Sequence, residues 1–274
     1  MTVHTPTSFA TLPAVPRISI GGLPVAVMDR DATADFLVGA ALRARSRKAP
    51  PLIVSSANGQ VLSLCATDPK VRDLYMSSDL ISADGMSLVL ASKLRGKTPL
   101  PERVATTDLF HDVARVAQAK GAKFYMLGAC ENNINKAVAE VRKMYPDLDV
   151  VGFRNGYFGR DEEEAVVEEI NKSGADILWA SMGVPRQLDF ALRWRSRLNV
   201  GVVKTSGGLF DFLSGQNSRA PQWMQDAGFE WLYRLWLEPR RLFWRYAVTN
   251  VHATYLLLTA STKEFPALRL DAER

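Results

Sequence analysis

The chain has 274 residues, 47% of them apolar and 23% charged, and carries a formal net charge of +5. That balance excludes a disordered or fibrous chain and is enough for a large buried core. No run reaches the ~20 apolar residues that a bilayer span requires, and the basic excess points to an anionic partner: nucleic acid, a membrane surface or a phosphorylated ligand.

Residues 1–16 are expected to form a mobile arm, without the basic start and apolar run of a signal peptide. The stretch "RISIGGLPVAVM" reads as a hairpin about Gly21-Gly22. A helix follows from about Asp31 to Arg47, with Phe36, Leu37, Ala40 and Ala41 at core-facing spacing. Strands and helices then alternate. The strand candidates are "PLIVSSA", "DLISA", "AKFYMLGA", "DVVGF", "ADILWAS" and "NVGVVKTS". Several are apolar on both faces, which predicts a mostly parallel α/β sheet covered by helices on both sides. The core is placed at 17–216. Residues 217–274 have helical composition and no strand signal, and are expected to form a helical C-terminal appendage. Cys65 and Cys130 lack any metal-site spacing and are expected to be buried, reduced thiols.

Open parallel sheets bind ligands beyond the carboxyl ends of their strands. Small and polar residues gather there: Ser56 and Asn58, Asp84, Gly128, Gly156, Gln187, then Gly207 and Gly208. Asp84 stands where a carboxylate serves as a general base, although "SADG" alone is also an ordinary turn. Asn58 reads equally as a helix cap. Gln187 falls in a first helical turn, where exposure is the simpler expectation. In "RVATTDLF", the residues Thr106, Thr107 and Asp108 look like a helix cap following Arg103.

Nucleotide fingerprints of the GxGxxG and GxxxxGK[ST] types are absent, as are HExxH and GxSxG. The histidines are scattered. The Asp147–Asp149 pair precedes its strand, away from the ligand rim, and Asp29 with Asp31 reads as a helix start. Any bound diphosphate is therefore expected to be balanced by arginines rather than by a metal.

The stretch "EWLYRLWLEPRRLFWRY" concentrates three tryptophans, two tyrosines and four arginines. At helical spacing, Arg234, Arg241 and Arg245 lie within about 40° of one another, opposite most of the aromatics, with Arg240 among the latter. Pro239 must kink or restart the helix. The pattern fits an ordinary amphipathic helix on the core. It equally fits one that turns aromatics to a lipid interface and arginines to a phosphorylated ligand or anionic lipid.

In order, the motifs "SANGQ", "SADGMSLV", "PERVATTDL", "NGYF", "GVPRQ", "GGLFDFLSG", "RAPQWMQDAGFEWLYRL" and "EPRRL" resemble the WecG/TagA/CpsF glycosyltransferases, glycosyltransferase family 26. The resemblance spans roughly Ile18 to Tyr246. It implies a Rossmann-like, mostly parallel sheet of the family's own topology. It also implies inverting transfer from a UDP-sugar (UDP-N-acetylmannosamine, its uronic acid or UDP-glucose) to a sugar on undecaprenyl diphosphate. By resemblance, Asp84 is the base, Ser56 and Asn58 are pocket residues, and Arg103 and Gln187 lie near the donor. Arg234 and Arg241 engage the diphosphate. Thr107, Gly207, Gly208, Arg219 and Arg245 complete the candidate substrate contacts. No metal and no cofactor are implied.

The chain departs from the family pattern at Ser56, where Thr is common, at Thr106, where Gly is usual, at Leu188, where Glu is usual, and at Trp244, where Arg is expected. The partners expected are the UDP-sugar, a polyprenyl-diphosphate-linked acceptor and an anionic membrane surface, with the chain peripheral on the cytoplasmic face of the bacterial inner membrane. Nucleic acid is not expected, and a homo-oligomer is left open. The rival reading is a non-catalytic basic protein that binds membranes or nucleic acid.

Overall fold

A computed structural model describes residues 12–46, 49–95, 97–260 and 262–269, apart from the side chain of Arg241. Most of the expected arm thus lies outside the described residues, and Val15 and Pro16 already belong to the first strand.

Strands β1 (Val15–Ile20) and β2 (Leu23–Ala26) form the expected hairpin, with Ile20 opposite Leu23. The two turn residues, Gly21 and Gly22, have φ of 56° and 84°, the left-handed geometry that a two-residue hairpin requires. Helix α1 (Arg30–Ala44) starts at Asp29, whose carboxylate accepts the Ala32 N–H. There follow β3 (Leu52–Ala57), α2 (Gly59–Thr67), α3 (Pro69–Met76), β4 (Leu80–Ala83), α4 (Met86–Arg95) and α5 (Thr106–Lys120). Next come β5 (Phe124–Gly128), α6 (Glu131–Met144), β6 (Val150–Arg154), α7 (Glu163–Ser173), β7 (Ile177–Ser181), α8 (Arg186–Arg193) and β8 (Val202–Thr205). Every expected strand of the core is present. The C-terminal part holds α9 (Leu209–Leu213), α10 (Gln222–Asp226), α11 (Glu230–Leu237), α12 (Pro239–Thr259) and β9 (Glu264–Leu268).

The strands form one nine-stranded sheet in the order β6-β5-β7-β8-β3-β4-β2-β1-β9. Its pairs are parallel from β6 through β2, while β1 is antiparallel to both neighbours. Apolar side chains cover both faces. Phe36, Phe110, Val54, Val202 and Trp179 belong to one core layer, with α1, α5 and α6. Leu62, Ile81, Leu178, Val203 and Phe190 belong to the other, with α2, α4, α7 and α8. This two-sided burial is why the strands read as continuous apolar runs.

Strand β9 corrects the expectation that no strand follows the core. It pairs with β1 at the sheet edge, and Arg17 donates to the Pro266 carbonyl at 2.7 Å. Pro266 is tolerated because an edge strand need not donate on its outer side. Cys130 is also corrected: it is exposed, whereas Cys65 is buried, and both thiols are free. Helix α12 begins with Pro239 in its first turn, so the proline restarts the helix after α11. It lies across α2, where a Cβ on Gly59 would stand 3.2 Å from that of Ala253. His252 and Ser63 share a 3.0 Å hydrogen bond at the same contact.

Phe110 anchors the first layer, its ring edge-on to Trp179 at 4.9 Å and to Phe124 at 6.0 Å. Phe110→Ala should destabilise the chain by about 3–5 kcal/mol, read as a lower urea midpoint with little change in slope.

Candidate functional site

The strand order reverses between β3 and β8. The early strands β4, β2 and β1 lie on one side of β3, while β7, β5 and β6 lie beyond β8 on the other. At the carboxyl ends of these central strands lies a cleft of about 890 Å³, large for a small-molecule site and roofed by α11 and α12. Gly128 lets the rim close, because a Cβ there would stand 2.2 Å from the Ser181 carbonyl oxygen.

Asp84 follows β4 and faces this cleft, with 25% of its side chain exposed. Thr106 donates its hydroxyl to Asp84 Oδ2 at 3.2 Å. Arg103 Nε donates to the Asp84 backbone carbonyl at 2.7 Å, and Arg103 Nη2 stands 3.9 Å from Oδ1. Burial raises the Asp84 carboxyl above the ordinary carboxylate range. The Arg103 and Lys204 charges pull the other way, Glu230 adds to the rise, and the Thr106 hydrogen bond opposes it. A carboxylate of heightened proton affinity, open on one side to a cleft, is suited to accept a proton there.

Thr106 departs from its expected role. Ala105 occupies the N-cap of α5 and makes no side-chain cap bond. The Thr106 hydroxyl instead meets Asp84 and, at 3.0 Å, the Ser56 hydroxyl. Asn58 caps α2, accepting the Val61 N–H at 3.1 Å, and it also lines the cleft. Gln187 is not exposed as its local pattern implies; only 3% of it is accessible. Its carbonyl oxygen accepts the Gly207 N–H at 3.0 Å, which fixes the turn after β8, where Gly207 has φ of 60°. Thr107 and Gly208 also border the cleft.

The C-terminal helices add two further cations. Arg234 and Arg245 both line the cleft, and neither has an acidic partner within 4.0 Å among the described residues. Arg234 lies over the Phe212 ring at 5.5 Å and Arg245 over the Tyr246 ring at 5.1 Å. The buried Nε of Arg245 has no hydrogen-bond partner, an orphan donor at the cleft wall. Arg219 is not brought to the cleft; its guanidinium is taken up by Asp108 and Gln225. The Arg241 side chain lies outside the described residues. Arg103 ties the appendage to the core through a 2.6 Å bond to Glu230 of α11.

Sequence reasoning missed Lys204. This β8 residue is fully buried beneath the cleft and donates to Ser56 Oγ at 2.7 Å and to the Thr205 carbonyl at 3.0 Å. Burial pushes its ammonium down to about 8, against the opposing pull of Asp84. Asp149 directly precedes β6, at the opposite end of the sheet. No group of three or more His, Cys, Asp or Glu among the described residues is arranged to hold a metal ion.

Residues 18–265 match the Glycosyl transferase WecG/TagA/CpsF family. The chain belongs to that family. It is 30% identical over 189 residues to an N-acetylglucosaminyldiphosphoundecaprenol N-acetyl-beta-D-mannosaminyltransferase of Bacillus subtilis (strain 168), covering 69% of this chain and 73% of the relative. It is 32% identical over 192 residues to the enzyme of the same name in Bacillus spizizenii (strain ATCC 23059 / NRRL B-14472 / W23), covering 70% and 73%.

On α11 and α12, Trp236, Phe243 and Trp244 are exposed at 76%, 53% and 75%. No helix among the described residues is long and apolar enough to cross a membrane.

The Arg103–Glu230 pair predicts how the roof is held. Both partners are partly open to the cleft, so Glu230→Ala should weaken docking of α11 by about 2–3 kcal/mol, below the fully buried limit. Limited proteolysis should then cut faster between residues 214 and 229 with far-UV circular dichroism unchanged; an unchanged cleavage rate would show that the pair does not hold the roof.

Proposed function

We propose that this protein is an inverting, metal-independent glycosyltransferase that moves a hexosamine-type sugar from a UDP-sugar to a sugar on a polyprenyl diphosphate. The observation that carries the reading is one cleft holding both a proton-accepting carboxylate, Asp84, and two guanidinium groups without acidic partners, Arg234 and Arg245. The names of the Bacillus relatives supply the sugar classes: N-acetylmannosamine as the group transferred and an N-acetylglucosaminyl-diphosphoundecaprenol acceptor.

In this reaction the acceptor hydroxyl gives its proton to Asp84 Oδ1 while its oxygen forms a bond to the anomeric carbon. The bond from that carbon to the UDP oxygen breaks, and its electron pair leaves with the diphosphate. Arg234 and Arg245 face the charge that develops, and the Gly207–Gly208 turn lets backbone approach the phosphates closely. Fixed guanidinium groups then do the work a divalent cation does elsewhere. Asn58 and Thr107 orient the sugars, and Gln187 acts through the Gly207 turn. Because the acceptor is anchored in lipid, the chain works at the inner leaflet, with the exposed Trp236, Phe243 and Trp244 in the interface and basic residues against anionic headgroups.

Asp84→Asn should lower kcat by about 10²-fold or more while UDP affinity stays nearly constant. A variant keeping more than half of the normal kcat would remove Asp84 from the reaction. The pH profile has a matching sign. Asp84 must be ionised to act and burial raises its proton affinity, so activity should fall on acidification above the ~3.9 of an unperturbed aspartate.

Two surfaces of the roof should separate by mutation. Trp236→Ala combined with Phe243→Ala should weaken binding to anionic liposomes and spare transfer to a detergent-soluble acceptor. Arg234→Ala should retain liposome binding and lose at least about 10-fold in kcat/KM on either acceptor. If Arg234→Ala leaves the liposomes yet turns over the soluble acceptor normally, Arg234 is a lipid anchor instead.

A further inference from the structure

A lysine in the middle of a doubly covered sheet is an unusual choice. Lys204 pairs in register with Val54 on β3 and Trp179 on β7, and none of its surface is accessible. An ammonium is tolerated there only if its donors and its charge are answered. It has no carboxylate within ion-pair distance among the described residues, and it donates hydrogen bonds to the Ser56 hydroxyl and the Thr205 carbonyl.

The Ser56 bond is the first link of a continuous chain. Lys204 Nζ lies 2.7 Å from Ser56 Oγ, Ser56 Oγ lies 3.0 Å from Thr106 Oγ1, and Thr106 Oγ1 lies 3.2 Å from Asp84 Oδ2. Chemistry fixes the direction. An ammonium only donates and an ionised carboxylate only accepts. Ser56 must therefore pass its proton toward Thr106, and Thr106 toward Asp84. Each hydroxyl is used once as acceptor and once as donor, and Oδ2 is held inward. When Asp84 takes a proton on Oδ1, Oδ2 still accepts, so the chain survives the catalytic cycle.

We propose that Lys204 is a positioning residue for sugar transfer: acting through Ser56 and Thr106, it keeps Asp84 anionic with Oδ1 turned to the acceptor. The inference rests on Asp84 being the base. The other groups facing Asp84 are Arg103, which favours its anion, Glu230 from α11, which opposes it, and Tyr75 of α3, whose phenol burial keeps neutral. Lys204 is thus the second of two cations that offset burial of the carboxylate. Removing its charge makes Asp84 harder to ionise, so the acid limb of the kcat/KM profile must move to higher pH.

The test uses the full chain, a UDP-sugar donor that it turns over and a detergent-soluble polyprenyl-diphosphate acceptor. Lys204→Met should shift the acid limb upward by about one pH unit, with most of the activity regained on the alkaline side. Thr106→Val, which breaks the chain but keeps the charge, should lower kcat with a smaller shift of the limb, and Thr106→Ser should recover what Thr106→Val loses. A folded Lys204→Met enzyme with an unmoved acid limb would overturn the proposal. Should Lys204→Met fail to fold, the threonine pair decides: Thr106→Val with normal kcat and an unmoved limb overturns it equally. If Asp84→Asn remains active, the base assignment has failed; if Asp84 is essential and the limb does not move, only the relay has.

Discussion

A carboxylate placed at the reversal of a parallel sheet is the constraint around which this molecule is arranged. Burial raises the proton affinity of Asp84 above that of a free aspartate, and nearby cations oppose the rise. The fold supplies two of them from different directions: Arg103 from the segment before α5 and Lys204 from the neighbouring half of the sheet. The adjacency of β3 and β8 brings Lys204 and Ser56 together, although 148 positions separate them in the chain. Helix α5 gives up a side-chain cap so that the Thr106 hydroxyl is available to Asp84, a local loss accepted for a tertiary contact.

The C-terminal helices are part of the same arrangement. Glu230 binds Arg103, the residue whose Nε also holds the Asp84 backbone, so docking of the roof and the setting of the carboxylate share one guanidinium. Arg234 and Arg245 enter the cleft only because α11 and α12 close over it. The same helices also carry exposed aromatics, Trp236, Phe243 and Trp244, which no interior contact requires. Under the proposed function, one helical pair meets both the membrane and the leaving diphosphate, so that roof closure and access to a lipid-bound acceptor are coupled.

Local sequence was sufficient for features with local causes. The strands from β3 to β8 were readable because a sheet covered on both faces demands continuous apolar runs, and Gly21-Gly22 marked the hairpin because its backbone needs positive φ. Rim residues such as Asn58, Asp84 and Gly207 follow from where parallel strands end. What escaped had distant causes. Gln187 is buried by its bond to a turn 20 residues away, Arg219 is captured by Asp108, and Thr106 prefers a tertiary partner to its own helix. Strand β9 was hidden because it is short and mostly exposed, and carries Pro266 at its centre. Lys204 did leave a trace: a charge inside "NVGVVKTS", where both faces must be apolar, calls for a buried partner.

The stereochemistry of transfer bears most directly on a single displacement driven by Asp84 against a diphosphate held by arginines. Purified protein would be given UDP-N-acetylmannosamine and a short-chain polyprenyl-diphosphate N-acetylglucosamine in excess EDTA. The anomeric configuration of the product would then be read by NMR. One in-line displacement on an α-linked nucleotide sugar predicts a β-linked product, formed at an undiminished rate in EDTA. An α-linked product, or a reaction that stops in EDTA and resumes with Mg²⁺ or Mn²⁺, would contradict the account.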